Sequence, residues 1–142
     1  MCYITLKQIF KFIDMKHIPH LRVSGNSLEV LKKGRWHYVD SLENITFIRS
    51  LYDYVVVHCK DSKKITTLMT TKDVAGMLQE KKFLRIHRQY IVNLDGVQEY
   101  DKSTLYMKTG KTFPIGKTYK KSIKGIVPQK KREKKQLLRI AA

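Results

Sequence analysis

Cysteine is scarce in this chain: two residues, Cys2 and Cys59, too few and too unevenly placed for a disulfide framework. They fit a reducing compartment. No apolar stretch approaches the roughly 20 residues that a membrane-spanning helix needs. The N-terminal apolar run is interrupted by Lys7 and Lys11, so it does not read as a signal peptide, and a cytoplasmic location is expected. Catalytic signatures are also missing: no CxxC, HExxH, GxSxG or phosphate-loop pattern occurs. His17 and His20 lack a cysteine or carboxylate at ligand spacing, and His58 and Cys59 adjoin on one strand, so their side chains point to opposite faces. The expectation is a protein that is not an enzyme and holds neither metal nor cofactor.

Acidic residues are few as well. Twelve Asp and Glu stand against 29 Lys and Arg, a formal net charge of +17. Surplus charge on that scale repels itself and calls for a polyanionic partner, which means duplex DNA, RNA or an anionic membrane. Solubility alone is a weaker explanation, because acidic residues serve it better. What is present in ordinary measure is apolar residues, 42% of 142, enough for one domain with a real core.

Three segments differ in character. In residues 1–25, Ile4, Leu6, Ile9, Phe10, Phe12 and Ile13 lie partly at helical spacing, and Pro19 and Ser24-Gly25-Asn26 read as a break and a turn. This predicts a short amphipathic helix plus linker. Residues 26–127 predict the folded domain, built of short runs rich in β-branched and aromatic residues with polar turns between them. Lys32-Lys33-Gly34-Arg35 and Tyr52-Asp53 mark two hairpins. One helix interrupts the strands: Thr70 offers an N-cap hydroxyl, Asp73 suits the helix dipole, and Val74, Met77 and Leu78 form an apolar face. A second short helix is predicted over residues 118–126. Strands without βαβ rhythm predict a mainly β, antiparallel fold with one or two short helices. The lone Trp36 reads as core. Residues 128–142, with Lys130-Lys131-Arg132-Glu133-Lys134-Lys135, predict a disordered basic tail.

The most informative stretch is Phe83-Leu84-Arg85-Ile86-His87-Arg88-Gln89-Tyr90-Ile91-Val92-Asn93. Strict alternation sets Leu84 and Ile86 on one face and would bury Arg88 beside them. An unpaired charge there is prohibitive, so the strand must bulge or turn near His87-Arg88. Arg88 and Gln89 are thereby thrust out, where a guanidinium and an amide suit phosphates and base edges. Asn93 reads as a structural group for the following turn, and Tyr90 as packing. Separately, Lys117, Lys120, Lys121 and Lys124 have no acid among them and share one face if residues 117–124 are helical.

This stretch resembles the signature of LytTR domains, which runs much like F-x-R-[IV]-H-R-S-Y-[IV]-V-N. Gln89 stands where the signature has a small residue. Three other blocks follow in the family's order: residues 39–48, Tyr52-Asp53-Tyr54-Val55, and Phe113-Pro114-Ile115-Gly116-Lys117-Thr118-Tyr119. The resemblance covers about residues 26–127. It implies an elongated arrangement of small antiparallel β-sheets that inserts loop residues into successive major grooves of duplex DNA, on paired repeats and as a dimer. It implies DNA contacts at Tyr52-Asp53-Tyr54, at His87-Arg88-Gln89 and along Lys117-Thr118-Tyr119-Lys120-Lys121. Arg85, beside the turn, and Lys124, on the lysine face, join them as candidate DNA contacts. Lysine at 117 departs from the family's arginine and cannot make its planar fork.

With 25 residues ahead of the domain, no receiver is expected on the chain, and the input signal is expected from a separate signalling partner chain, from abundance or from the N-terminal segment. Two other readings stay open. One is an RNA- or ribosome-associated basic protein, in which Tyr52, Tyr54, Tyr100 and Tyr106 form a stacking surface. The other is a membrane-linked regulator anchored by residues 1–20.

Overall fold

The computed structural model describes residues 19–130. The expected N-terminal helix within residues 4–13, and most of the expected basic tail, lie outside the described residues.

Eleven strands are described, in three antiparallel sheets. The first sheet holds β1 (Leu21–Ser24), β2 (Ser27–Lys32) and β3 (Arg35–Ser41), in that order. The central sheet holds β4 (Ile45–Leu51), β5 (Tyr54–Cys59), β6 (Lys64–Leu68), β7 (Phe83–His87) and β8 (Tyr90–Asn93), in the order β6-β5-β4-β8-β7. The third holds β9 (Val97–Asp101), β10 (Thr104–Met107) and β11 (Thr112–Pro114). Two short helices complete the fold, α1 (Thr71–Met77) and α2 (Lys120–Ile123).

The central sheet is sandwiched because its strands are apolar on both faces. Ile48, Val55, Val57 and Ile91 meet Leu28, Val30 and Val39 of the first sheet, with Val74 and Leu78 from the α1 region. Their neighbours Phe47 and Val92 face the other way and meet Leu105, Phe113 and Ile123. Each fully buried aliphatic side chain contributes about 1.5–3 kcal/mol. Helix α1 starts as its sequence predicts: the Thr70 hydroxyl accepts from the Asp73 backbone N–H at 3.1 Å. The β2–β3 turn uses Lys33 and Gly34, both at positive φ, as a two-residue hairpin loop requires.

Four expectations are corrected. The folded part starts before residue 26, since Leu21 is 1% exposed and pairs with Val30. Trp36 is not core; it lies half-buried under the Arg22 guanidinium, 4.3 Å from the ring centroid. The predicted helix over residues 118–126 is a 3-10 turn, Lys117–Tyr119, followed by the four residues of α2. At the near end of the expected tail, the Tyr100 N–H donates to the Pro128 carbonyl and the Lys130 N–H to the Tyr100 carbonyl, so residues 128–130 pair with β9.

Candidate nucleic-acid interface

The β7–β8 hairpin is built around the break that its sequence predicts. Its register slips between Arg85 and His87 while Ile86 is fully buried, and Arg88 and Gln89 form the exposed turn. A buried charge is avoided by the slip, which keeps Ile86 inside and sends Arg88 out. The turn is held from within. Arg85 Nη2 donates to the Arg88 carbonyl at 2.9 Å and Arg85 Nε to the His87 carbonyl at 3.4 Å. The same guanidinium lies 5.4 Å from the Tyr119 ring centroid. His87 Nδ1 accepts from the Gln89 backbone N–H at 3.1 Å. Burial, then the charges of Arg88 and Arg85, lower the His87 pKa. With Nδ1 accepting, the proton of the neutral ring is carried on Nε2, a hydrogen-bond donor. Among the described residues the Arg88 side chain has no ion pair.

Two other segments flank this turn. The Ser50 N–H donates to the Gln89 carbonyl at 2.8 Å, which ties the end of β4 to the turn. Beyond it comes the β4–β5 turn, with Tyr52 at φ 56° and 96% exposed, and Tyr54 at 47%. On the other side the Gly116 N–H donates to the Ile86 carbonyl at 2.9 Å, extending the outer edge of β7. A Cβ on residue 116 would lie 2.9 Å from the Tyr119 ring, so glycine lets the Tyr119 ring fold back over the start of its own turn. The structure therefore places side by side Tyr52-Asp53-Tyr54, His87-Arg88-Gln89 and, through Gly116, the Lys117-Thr118 start of the third predicted segment. From β5 to the Gly116 segment the row spans about four strand spacings, or about 19 Å.

The four lysines do not share a helical face. The chain leaves α2 at Lys124, with ψ 123°, and Gly125 turns at φ 87°. Lys117 lies on the 3-10 turn, whereas Lys120, Lys121 and Lys124 line a shallow cleft floored by Ile115 and Ile123. Lys102 joins that cleft from the β9–β10 turn, and sequence reasoning missed it because 18 residues separate it from Lys120.

The fold and this row of segments allow comparison with known proteins. The family model of the LytTr DNA-binding domain matches residues 35–127. The chain belongs to the LytTR family. It carries that family's DNA-binding domain and its mostly β fold. A solved LytTr DNA-binding domain from Bacillus cereus superposes with a TM-score of 0.57 at 18% identity, over 72% of this chain and 97% of that one. The chain is similar to the transcriptional regulatory protein BtsR of Escherichia coli, 29% identical over 92 residues, covering 61% of this chain and 37% of BtsR. It is also similar to the sensory transduction protein LytR of Streptococcus mutans, 27% identical over 122 residues, covering 77% of this chain and 50% of LytR. The chain thus spans half or less of the length of these curated relatives.

Within this LytTR domain the tyrosines form no common platform. Tyr54 lies on the central sheet and Tyr52 on its β4–β5 turn, Tyr100 and Tyr106 lie on the third sheet, and the Lys130 ammonium sits 4.8 Å from the Tyr106 ring centroid. Metal-ligand types meet at one place among the described residues, where Asp40, Cys59 and Asp61 bring ligand atoms within 4.8 Å. The Asp40 carboxylate already accepts from the Ser41 N–H at 2.8 Å and the Asn44 amide at 3.0 Å. Burial raises the Cys59 thiol pKa and keeps it protonated, which disfavours metal ligation. Asn93 is structural, as expected: it accepts from the Asp95 N–H and donates to the Ile45 carbonyl. No helix among the described residues is long and apolar enough to cross a membrane.

Proposed function

We propose that this chain is a cytoplasmic transcription regulator that reads a specific duplex DNA sequence through the His87-Arg88-Gln89 turn and performs no chemistry. The observation that carries this reading is the exposed Arg88, on a turn whose carbonyls are pinned by Arg85 and flanked by two further exposed segments. A guanidinium fork fits the two acceptors on the major-groove edge of guanine, and an amide fits adenine. The row of about 19 Å exceeds the roughly 12 Å width of one major groove. Arg88 and Gln89 therefore take base edges. Tyr52, Asp53 and Tyr54 on one side, and Lys117 and Thr118 on the other, meet the flanking backbone or the next groove. Lys120, Lys121 and Lys124 contact phosphates and supply affinity without sequence preference by counterion release. The protein binds as a dimer on paired repeats.

Selection of random duplexes by the purified protein tests this. The expected product is a short motif in two copies, with centres about 10 base pairs or a multiple apart, as dimers require. Recovery of duplexes with no shared motif would leave only non-specific binding and would reject the reading. Competition with single-stranded RNA is expected to leave the duplex complex intact.

A further inference from the structure

We propose that the cleft between the central and third sheets is a binding site for a small organic anion with an apolar body, namely an aryl or short acyl carboxylate. The cleft holds about 450 Å³. Small-molecule sites run from about 300 to 1,000 Å³. Its floor is apolar, formed by Ile45, Phe47, Met107 and Phe113. Its rim is cationic: Lys60 comes from the β5–β6 turn, and Lys108 and Lys111 from the β10–β11 turn. Asp95 is the one acid among the lining residues, and its carboxylate lies 3.5 Å from Lys82.

The floor and rim are already coupled. The Lys111 ammonium stands 4.3 Å from the Phe47 ring centroid and 5.9 Å from that of Phe113. A carboxylate entering there pairs with an ammonium held over aromatic rings, and the ligand's body lies along the apolar floor and the lysine stems of the rim. Inorganic phosphate lacks the apolar part, and a neutral hydrocarbon lacks the charge.

The position of the cleft separates it from the DNA reading. Strand β4 runs from Ile45, in the cleft, to Leu51, next to the Tyr52-Asp53 turn. Strand β8 runs from Tyr90, next to the Arg88-Gln89 turn, to Asn93, in the cleft. The rim lysines are therefore about 20 Å from the row of DNA-facing turns, at the rise of an extended strand. Contact with the same groove does not account for them, and ligand binding here does not depend on the DNA-binding reading.

The test uses the full chain with 13C-labelled methionine methyls, titrated with 4-phenylbutyrate. Met107 lines the cleft, while Met69 and Met77 line a separate groove beside β1 and serve as internal references. The Met107 signal is expected to move saturably while Met69 and Met77 stay in place. The neutral 4-phenylbutanol and inorganic phosphate are each expected to bind about tenfold more weakly or worse, the loss of one half of the recognition. The Lys108→Gln/Lys111→Gln double variant changes two exposed side chains. It is expected to weaken 4-phenylbutyrate by about tenfold, with the methionine signals of the free protein keeping their native positions. The proposal is overturned if Met107 does not move up to the probe's solubility limit. It is equally overturned if phosphate or the alcohol matches the carboxylate, or if the double variant binds as tightly as the parent.

Discussion

The His87-Arg88-Gln89 turn and the lysines of residues 117–124 carry the same sign of charge and adjoin through Gly116, yet they are built differently. At the turn, the backbone is tied by Arg85, by His87 Nδ1 and by Ser50, and one guanidinium emerges from this frame. At Lys120, Lys121 and Lys124 the charges ride on flexible stems around a shallow apolar floor. A fixed guanidinium discriminates among hydrogen-bonding edges, whereas mobile ammonium groups serve any phosphate. Order of the backbone beneath a charge, more than the amount of charge, separates a reader from a clamp.

The largest expected effect breaks the reader. Arg88→Ala should cost about 1–3 kcal/mol on the selected duplex and much less on random duplex, measured by fluorescence anisotropy at fixed salt. Equal loss on both would move Arg88 to the clamp. Arg85 comes next. It holds the two turn carbonyls, so Arg85→Leu should cost about 1 kcal/mol on the selected duplex through the lost order of the turn. The salt dependence should stay unchanged, because no phosphate contact is removed. Arg85→Lys should not rescue, since an ammonium lacks the fork that reaches both carbonyls. A salt slope smaller by nearly one would instead make Arg85 a phosphate ligand. The clamp is probed by Lys120→Gln/Lys121→Gln, which should weaken selected and random duplexes alike and lower the salt slope by about 1.8. An unchanged slope would remove these lysines from the interface.

Much of this contrast was legible in the chain because it rests on local conflicts. The alternation that would bury Arg88 forces the slip at Ile86, and Thr70 with Asp73 marks the start of α1. What escaped reading depends on partners far along the chain. Strand β1 looks like a linker, four residues between Pro19 and Gly25, and becomes a strand only by pairing with β2. Lysines 117 to 124 have helical spacing, but α2 stops when Lys124 leaves helical ψ and Gly125 takes a left-handed conformation. Trp36 looked like core because it is large and single; a cation–π contact with Arg22 on the outer face of the first sheet holds it instead. The lysine-rimmed cleft joins residues of the β5–β6 and β10–β11 turns, which no local pattern connects.

A pH titration separates both regions from the fold that carries them. His58 stacks on Phe47 at 4.1 Å between ring centroids, and its buried Nε2 has no hydrogen-bond partner among the described residues. Burial, then the charges of Lys111, Lys64 and Arg49, depress its pKa to about 4. The unfolded chain binds this proton at about pH 6.5 and the folded one only near pH 4. Stability from this residue is therefore full above pH 6.5 and is lost as the pH falls to 4, on the order of 1 kcal/mol after solvent screening. In His58→Gln, chemical denaturation should show a flatter stability profile over that window. A profile as steep as the parent's would assign the acid sensitivity to other groups.

The smallest expected effect concerns Tyr52, where fold and function pull apart. Its side chain is almost fully exposed and its φ is 56°, a conformation that costs a non-glycine residue about 1 kcal/mol with no packing in return. Tyr52→Gly should therefore raise unfolding stability by about 0.5–1 kcal/mol while weakening the selected duplex. A gain in stability with unchanged DNA affinity would make Tyr52 a bystander and shrink the row to two segments. A loss of stability would mean that the tyrosine supports the β4–β5 turn. Only the paired outcome, a firmer fold and a poorer grip, fits a residue kept in a strained conformation for what it touches outside the protein.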